Sequence, residues 1–170
     1  MNKQLEVTAA VYEGEEQARR ILDVLQRMHR GSTITLVDLA MVTKETDGKV
    51  HIKETRELSG RKGATRGAIV TGIFGAIYPP SLLVTAAGGG IAGGLWGRLH
   101  DTGIKTGQLK QFGDNLRPGK AGVVALSEGE HVPEIENAMG EWNATLLHHG
   151  FDDGETRELD KAARATNDGP

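Results

Sequence analysis

The chain has 170 residues, which is enough for one domain with a sizeable hydrophobic core. Its 20 basic and 23 acidic side chains leave a formal net charge of -3, so the basic surplus typical of nucleic-acid-binding proteins is missing and we expect no nucleic-acid partner. Cysteine is absent, which excludes disulfides and thiolate metal sites.

The first half of the chain predicts a strand, a helix and two further strands. The N-terminal segment turns acidic early and has no apolar run of signal-peptide length, so we expect a cytoplasmic protein whose membrane contacts would be made at the cytoplasmic face of the inner membrane. Alternating apolar residues predict a strand over 5–11, and helical spacing predicts a helix over 13–30. Apolar residues on both faces predict a covered strand over 33–43, and an Asp-Gly turn leads to a strand over 49–54.

The last part of the chain predicts a weak helix over 104–116, a buried strand over 121–126, a helix over 131–141 and a strand over 143–149. Without the central segment, this order predicts an α+β fold, a ferredoxin-like split βαβ sandwich to which the last helix and strand are appended. Such a sheet leaves one face open, and the apolar second strand suggests that a second copy of the chain covers it.

The predicted domain organisation follows from these elements. Residues 1–58 and 101–150 form the ferredoxin-like body, residues 59–100 form an inserted glycine-rich helical hairpin, and residues 151–170 form a polar C-terminal tail.

The segment from Gly67 to Gly97 is the most unusual part of the chain. It has no ionisable side chain except Tyr78, and its small residues recur at four-residue steps. Positions four apart share one helix face, so each arm would present bare backbone against which another helix packs closely. The members of this predicted glycine zipper are Ala64, Ala68, Gly72, Ala76, Ala86, Gly89, Gly90, Gly93, Gly94 and Gly97.

A helical hairpin is the simplest arrangement of this segment. Pro79 and Pro80 prevent one continuous helix and leave arms of about 12 and 17 residues. At a rise of 1.5 Å per residue, the arms reach about 18 and 25 Å, less than the roughly 30 Å core of a bilayer. Both open ends are basic, as expected for a hairpin entering a membrane from the cytoplasm. The candidate ligands of lipid head groups are Arg61, Lys62, Arg66 and Arg98.

Three other interpretations of the segment remain open. The arms could pack against sister arms in water, giving a soluble oligomer with a dry helical centre. The segment could also be a flexible glycine-rich loop. A pore is the least favoured interpretation, because Thr71, Ser81 and Thr85 provide few polar lining groups.

The sequence patterns that resemble a binding or metal site are better explained by structural roles. Residues 88–93 satisfy G-x-G-x-x-G, but the glycines continue at four-residue steps and no parallel βαβ repeat follows, so we predict no cofactor. His148, His149, Asp152 and Asp153 offer metal-ligand chemistry, but adjacent histidines on a strand point to opposite faces, so we predict no metal site. Because the serines and histidines are dispersed, we predict no catalytic residue and no enzyme.

Several motifs together resemble the bacterial domain-of-unknown-function family 1269, whose members are generally described as predicted membrane proteins. The resemblance covers roughly residues 3–150 and implies a ferredoxin-like body with a glycine-zipper hairpin, without catalytic residues to transfer. The motifs are Arg61-Lys62-Gly63-Ala64, Gly67, Gly72 and Gly75, Pro79, the glycines from Gly88 to Gly97, Asp101-Thr102-Gly103-Ile104, and Leu116-Arg117-Pro118-Gly119-Lys120-Ala121. One departure is Pro80-Ser81-Leu82-Leu83-Val84, which starts the second arm with bulky side chains.

The predicted function is that of a non-enzymatic, self-associating protein. Its glycine-zipper hairpin would mediate homo-oligomerisation and contact membrane lipid, so the expected partners are other copies of the chain and lipid. The alternative is a small-molecule-binding or enzymatic ferredoxin-like dimer that uses the open sheet face, an inference from fold analogy alone.

Overall fold

The computed structural model describes residues 4–55, 74, 78, 80–85 and 107–157. These residues form a mixed α/β structure in which a six-stranded mixed sheet carries helices on both faces. The strands are β1 (Leu5–Tyr12), β2 (Leu36–Lys44), β3 (Val50–Thr55), β4 (Leu83–Thr85), β5 (Ala121–Glu128) and β6 (Thr145–Gly150). The helices are α1 (Glu15–Arg30), α2 (Gly107–Asn115) and α3 (Val132–Met139), with 3₁₀ turns at Pro80–Leu82, Gly129–His131 and Glu141–Asn143.

The strands lie in the order β4-β3-β2-β5-β1-β6. Neighbours pair antiparallel, except that β3 and β4 pair parallel. The sequence predicted that β3 is one of the four strands of the ferredoxin-like unit and that the last helix and strand are an appendage. This prediction is wrong. β6 pairs with β1 and so belongs to the main sheet, and β3 pairs with β2 on the side away from β5. β5 takes a central place because its residues are buried on both faces, whereas residues 50–53 of β3 alternate, with Val50 and Ile52 buried and the two others partly exposed.

The first face of the sheet is covered by α1 and α3. Helix α1 places Ile21, Leu22 and Leu25 at helical spacing, and all three side chains are fully buried against Met41 and Val123 of the sheet. Each buried aliphatic side chain of this size stabilises the fold by roughly 1.5–3 kcal/mol. The helix starts with acidic residues and ends with basic ones, which suits its dipole. This helix was predicted from the sequence and is confirmed.

The second face, expected to be open, is covered by the chain itself. Leu109 and Phe112 of α2 pack there together with Phe74 and Phe151, and none of the four is more than 3% exposed. A second copy is therefore not needed to cover these residues. Phe151, the first residue of the predicted tail, belongs to the body.

A short helical segment follows Phe151, at residues 153–157. Asp152 caps it, since its Oδ1 accepts hydrogen bonds from the backbone N–H groups of Gly154 and Glu155, both at 2.8 Å. The Glu155 carboxylate accepts one from the Asp152 N–H at 2.9 Å, which completes a capping box. Glu155 is only 8% exposed, so the start of the predicted polar tail is not entirely solvated.

Candidate functional site

The candidate site predicted from the sequence is the glycine-rich segment, and most of it lies outside the described residues. This applies to the zipper positions Ala64, Ala68, Gly72, Ala76, Ala86, Gly89, Gly90, Gly93, Gly94 and Gly97, and to the basic positions Arg61, Lys62, Arg66 and Arg98. Between Gly67 and Gly97 the structure describes Phe74, Tyr78 and residues 80–85. These central residues show how the segment is attached to the sheet.

Two aromatic residues attach the end of the first arm to the second face of the sheet. The Tyr78 N–H donates to the Phe74 carbonyl at 2.9 Å, as in a helical turn, and this places both rings on one side. The rings are nearly parallel, at 4°, with centroids 6.3 Å apart. Phe74 also meets Phe112 edge-on at 5.9 Å. Because Phe74 is only 1% exposed, this aromatic group is part of the core.

Two glycines make room for the aromatic group. A Cβ atom at Gly113 of α2 would lie 2.3 Å from the Tyr78 hydroxyl oxygen. A Cβ atom at Gly122 of β5 would lie 2.5 Å from Cζ of Phe112. Both distances are far below a van der Waals contact, so any side chain at either position would displace an aromatic ring. The sequence predicted a weak helix over 104–116, and the structure gives a packing reason for the glycine at position 113.

Tyr78 lies in a half-buried environment beside α2. Burial, together with the negative charge of Asp114, raises the pKa of Tyr78 to about 12. The Lys44 ammonium group lies 5.7 Å from the centre of the tyrosine ring, a cation–π geometry. The hydroxyl group has no hydrogen-bond partner among the described residues. Tyr78 therefore contacts the protein body through Phe74, Lys44 and α2.

The second arm does not begin as a helix. Pro80–Leu82 form a 3₁₀ turn, and β4 follows with Leu83 opposite Val50 and Thr85 opposite Ile52. The prediction of a helix from Ser81 is therefore wrong for residues 81–85. The pair of prolines interrupts helical hydrogen bonding, and a Leu-Val-Thr run is well suited to a strand that buries Leu83, at 2% exposure. Within the part of the chain that the structure describes, no helix combines the length and apolar character needed to span a bilayer.

A cluster of polar side chains lies near β6, at the edge of the sheet opposite β4. The His148 imidazole contacts the Glu6 carboxylate, whereas the His149 ring lies on the other face, edge-on to Phe151 at 5.0 Å. The expectation that the two adjacent histidines point to opposite faces is confirmed. Among residues 4–55, 74, 78, 80–85 and 107–157, no three His, Asp or Glu side chains group as a metal site.

The Glu6 and His148 pair joins β1 to β6. Cβ atoms added at Gly129 and Gly150 would lie 3.0 and 3.2 Å from the Glu6 carboxylate oxygens, so two glycines leave space for this carboxylate. The nearby hydroxyls of Thr8 and Ser127 are fully buried and have no hydrogen-bond partner in the described structure. Because both hydroxyls are buried, neither is accessible as a nucleophile in this arrangement.

The comparisons with known proteins give a family but no characterised relative. The family model described as "Protein of unknown function (DUF1269)" matches residues 64–164, more than half of the chain. No curated protein and no solved structure shows significant similarity. The chain belongs to the DUF1269 family.

Proposed function

We propose that this DUF1269 protein is a non-enzymatic, self-associating protein whose glycine zipper mediates homo-oligomerisation. The observation that carries the proposal is the attachment of the segment at its middle. Phe74 and Leu83 are buried in the second face, so the glycine-rich stretches on either side of them start from fixed points on the protein body. A surface that is fixed before association loses less conformational entropy when it binds, which strengthens assembly.

We assign the body to the ferredoxin-like class. Four adjacent strands, in the order β6-β1-β5-β2, support this assignment, because β5 separates β1 from β2 and pairs antiparallel with both. Helix α1 connects β1 to β2, and α3 connects β5 to β6, with both helices packed on one face. In this assignment, β3 and β4 extend the sheet beyond the four strands of the ferredoxin-like unit.

The zipper would act through its lack of side chains. Gly72, Gly90 and the other small residues would let helices of neighbouring copies approach closely enough for backbone-to-backbone contact. The interaction depends on shape rather than on charge, and it needs no cofactor or catalytic group. The partner is therefore another copy of the same chain.

Lipid contact is the second part of the proposal. The burial of Phe74 and Leu83 holds the middle of the segment against the sheet. We therefore expect the protein to bind at the membrane surface rather than to insert the tip of the hairpin. Arg61, Lys62 and Arg66, with Arg98, would then bind anionic head groups at the cytoplasmic face of the inner membrane.

The test of self-association is substitution within the stripe. Gly72→Leu and Gly90→Leu place a branched side chain where neighbouring helices would meet, and we expect each to lower the native mass in light scattering. Gly107→Leu is the matched control, because a Cβ atom at Gly107 meets no heavy atom within 4 Å. An unchanged mass in both stripe variants would refute the zipper. Point substitutions are preferable to deletion of residues 67–97, which would remove Phe74 and Leu83 from the core.

The alternative function has no supporting observation in the described residues. A small-molecule-binding or enzymatic dimer was expected to use an open sheet face, with a polar titratable cluster above it. The described part of that face is instead filled by Phe74, Phe112 and Phe151.

A further inference from the structure

Strand β6 has one side of its backbone directed away from the sheet. The Phe151 N–H donates to the Leu5 carbonyl at 2.9 Å, in register with the β1–β6 ladder. Hydrogen-bonded pairs alternate along an antiparallel ladder, so His149 and Leu147 also bond to β1. The backbone N–H and C=O groups of Leu146, His148 and Gly150 therefore point outward. Within residues 4–55, 80–85 and 107–157, no strand pairs with that side.

This edge lacks the features that usually protect a sheet edge. Natural edge strands are kept short, carry Lys or Pro, or contain a bulge. β6 has six residues in regular register, and its sequence Thr-Leu-Leu-His-His-Gly contains none of those protective residues. The opposite edge strand, β4, has three residues and directly follows the 3₁₀ turn that starts at Pro80. Of the two edges formed by the described strands, the β6 edge is thus the one better suited to further pairing.

Two apolar side chains stand exposed beside the β6 edge. Trp142 and Leu146 are 44% and 39% exposed, and with Val37 they are the large apolar residues that the described structure leaves exposed. Trp142 has a φ of 55°, which is uncommon for a bulky residue, and its ring meets Tyr12 edge-on at 6.4 Å. Aromatic residues are enriched at protein–protein interfaces, so an exposed Trp142 in the turn just before β6 suits an association surface.

We propose that β6 pairs antiparallel with β6 of a second copy, so that the two sheets become one continuous sheet. A second copy is the occupant because a strand paired antiparallel with itself has the two-fold symmetry of most homodimers. With the axis at His148, Leu146 lies opposite Gly150 of the partner subunit, where the missing side chain leaves room. The two His148 rings meet at the axis, and each contacts the Glu6 carboxylate of its own chain.

This surface uses none of the residues of the proposed glycine zipper, so the two can be tested independently. In the Gly72→Leu background, with the zipper disabled, we expect a native mass of twice 18.2 kDa. Adding Leu146→Lys should halve that mass, because a charged side chain disfavours edge pairing. Adding Val37→Lys instead is the matched control and should leave the mass unchanged, since Val37 is equally exposed, at 42%, and lies on β2. Leu146→Pro removes one outward donor while keeping the bonds to β1, and it should also halve the mass.

A cysteine at the proposed axis gives a second measurement that does not depend on weakening the dimer. The chain has no cysteine, so His148→Cys carries a single thiol. A hydrogen-bonded antiparallel pair places Cα atoms about 5.5 Å apart, which is within disulfide range. We expect a disulfide-linked dimer under mild oxidation, whereas Asp47→Cys in the exposed β2–β3 turn should stay unlinked. A monomer in the Gly72→Leu background, an unchanged mass after Leu146→Lys, or equal linking of the two cysteine variants would each overturn the proposal.

Discussion

The two faces of the sheet are built from different kinds of residues. The first face is mainly aliphatic apart from Tyr12, and its helices α1 and α3 follow the strands on which they pack. The second face is aromatic, and Phe74, Phe112 and Phe151 reach it from three separate parts of the chain. The first face therefore closes through local connections, and the second depends on contacts between residues far apart in sequence.

This difference has a functional consequence. The glycine-rich segment contributes Phe74 and Leu83 to the second face. The segment proposed to mediate association therefore also contributes to the hydrophobic core. Substitutions of buried residues in the second face are therefore expected to change both stability and zipper-mediated assembly, whereas those of buried residues in the first face are expected to change stability alone. The following predictions use pairs of substitutions to test this contrast.

The largest effect is expected at Phe74. Removal of its buried ring leaves a cavity, so Phe74→Ala should lower the free energy of unfolding by about 3–5 kcal/mol. Leu22→Ala on the first face should cost a comparable amount, about 2–5 kcal/mol. Urea unfolding followed by circular dichroism measures both. Ser81→Ala, at an exposed position of the same segment, is the control and should cost less than about 0.5 kcal/mol. A loss below about 1 kcal/mol for Phe74→Ala would mean that the segment does not close the second face.

A smaller effect is expected at the glycines that make room for the rings. Gly122→Ala forces the buried Phe112 ring to move and should destabilise the fold by about 1–3 kcal/mol. Gly113→Ala should cost less, because alanine gains about 1 kcal/mol over glycine in a helix and the half-buried Tyr78 can swing outward. Gly107→Ala in α2, which meets nothing within 4 Å, should not destabilise the fold.

Chemical denaturation of the three glycine variants separates packing from helix propensity. If Gly122→Ala and Gly107→Ala unfold at the same denaturant concentration, the Phe112 ring does not pack closely on Gly122 of β5. The double variant Gly122→Ala with Phe112→Leu provides a further check, because a smaller side chain at residue 112 should restore part of the lost stability.

Much of the body could be predicted from the sequence because its signals are local. The helical spacing in α1, the alternation in β1 and the Asp-Gly turn before β3 each depend on a few neighbouring residues. The strand order could not be predicted in the same way, since it depends on which buried strand takes the centre. β5, apolar on both faces, takes that place, and the pattern of β5 alone does not name its neighbours.

The candidate site shows the same limit. The four-residue steps predicted helices on both sides of Pro79, but pairing with the edge of β3 makes residues 83–85 a strand instead. Phe74 gave no signal, because one apolar residue in an apolar run looks like its neighbours. A usable signal did exist in Gly113 and Gly122, since a glycine inside a helix or a buried strand often marks close packing. The zipper itself remains a prediction.

The smallest effect is expected at Tyr78, which is compared here with Tyr12 on the other face. Tyr12 is fixed on the first face, because its hydroxyl donates to the Met139 carbonyl at 2.6 Å, and burial also raises its pKa above the ordinary value. Tyr78 on the second face has a pKa raised to about 12, mainly by burial. The folded state keeps the Tyr78 proton at pH values where the unfolded chain, with a tyrosine pKa of about 10, has lost it. The stability due to the neutral hydroxyl is therefore complete below about pH 10 and falls as the pH rises toward 12.

Tyr78→Phe isolates this contribution, because it removes the titrating group and keeps the ring stacked on Phe74. We expect the wild-type chain to lose stability more steeply than Tyr78→Phe between about pH 10 and 12, as measured by urea midpoints at a series of pH values. Tyr12→Phe should instead be less stable than wild type at neutral pH, by about 1–3 kcal/mol, because the Met139 carbonyl loses its buried donor. Parallel pH profiles for wild type and Tyr78→Phe would mean that Tyr78 is solvated, and that the attachment of the glycine-rich segment is looser on this side than the aromatic stack implies.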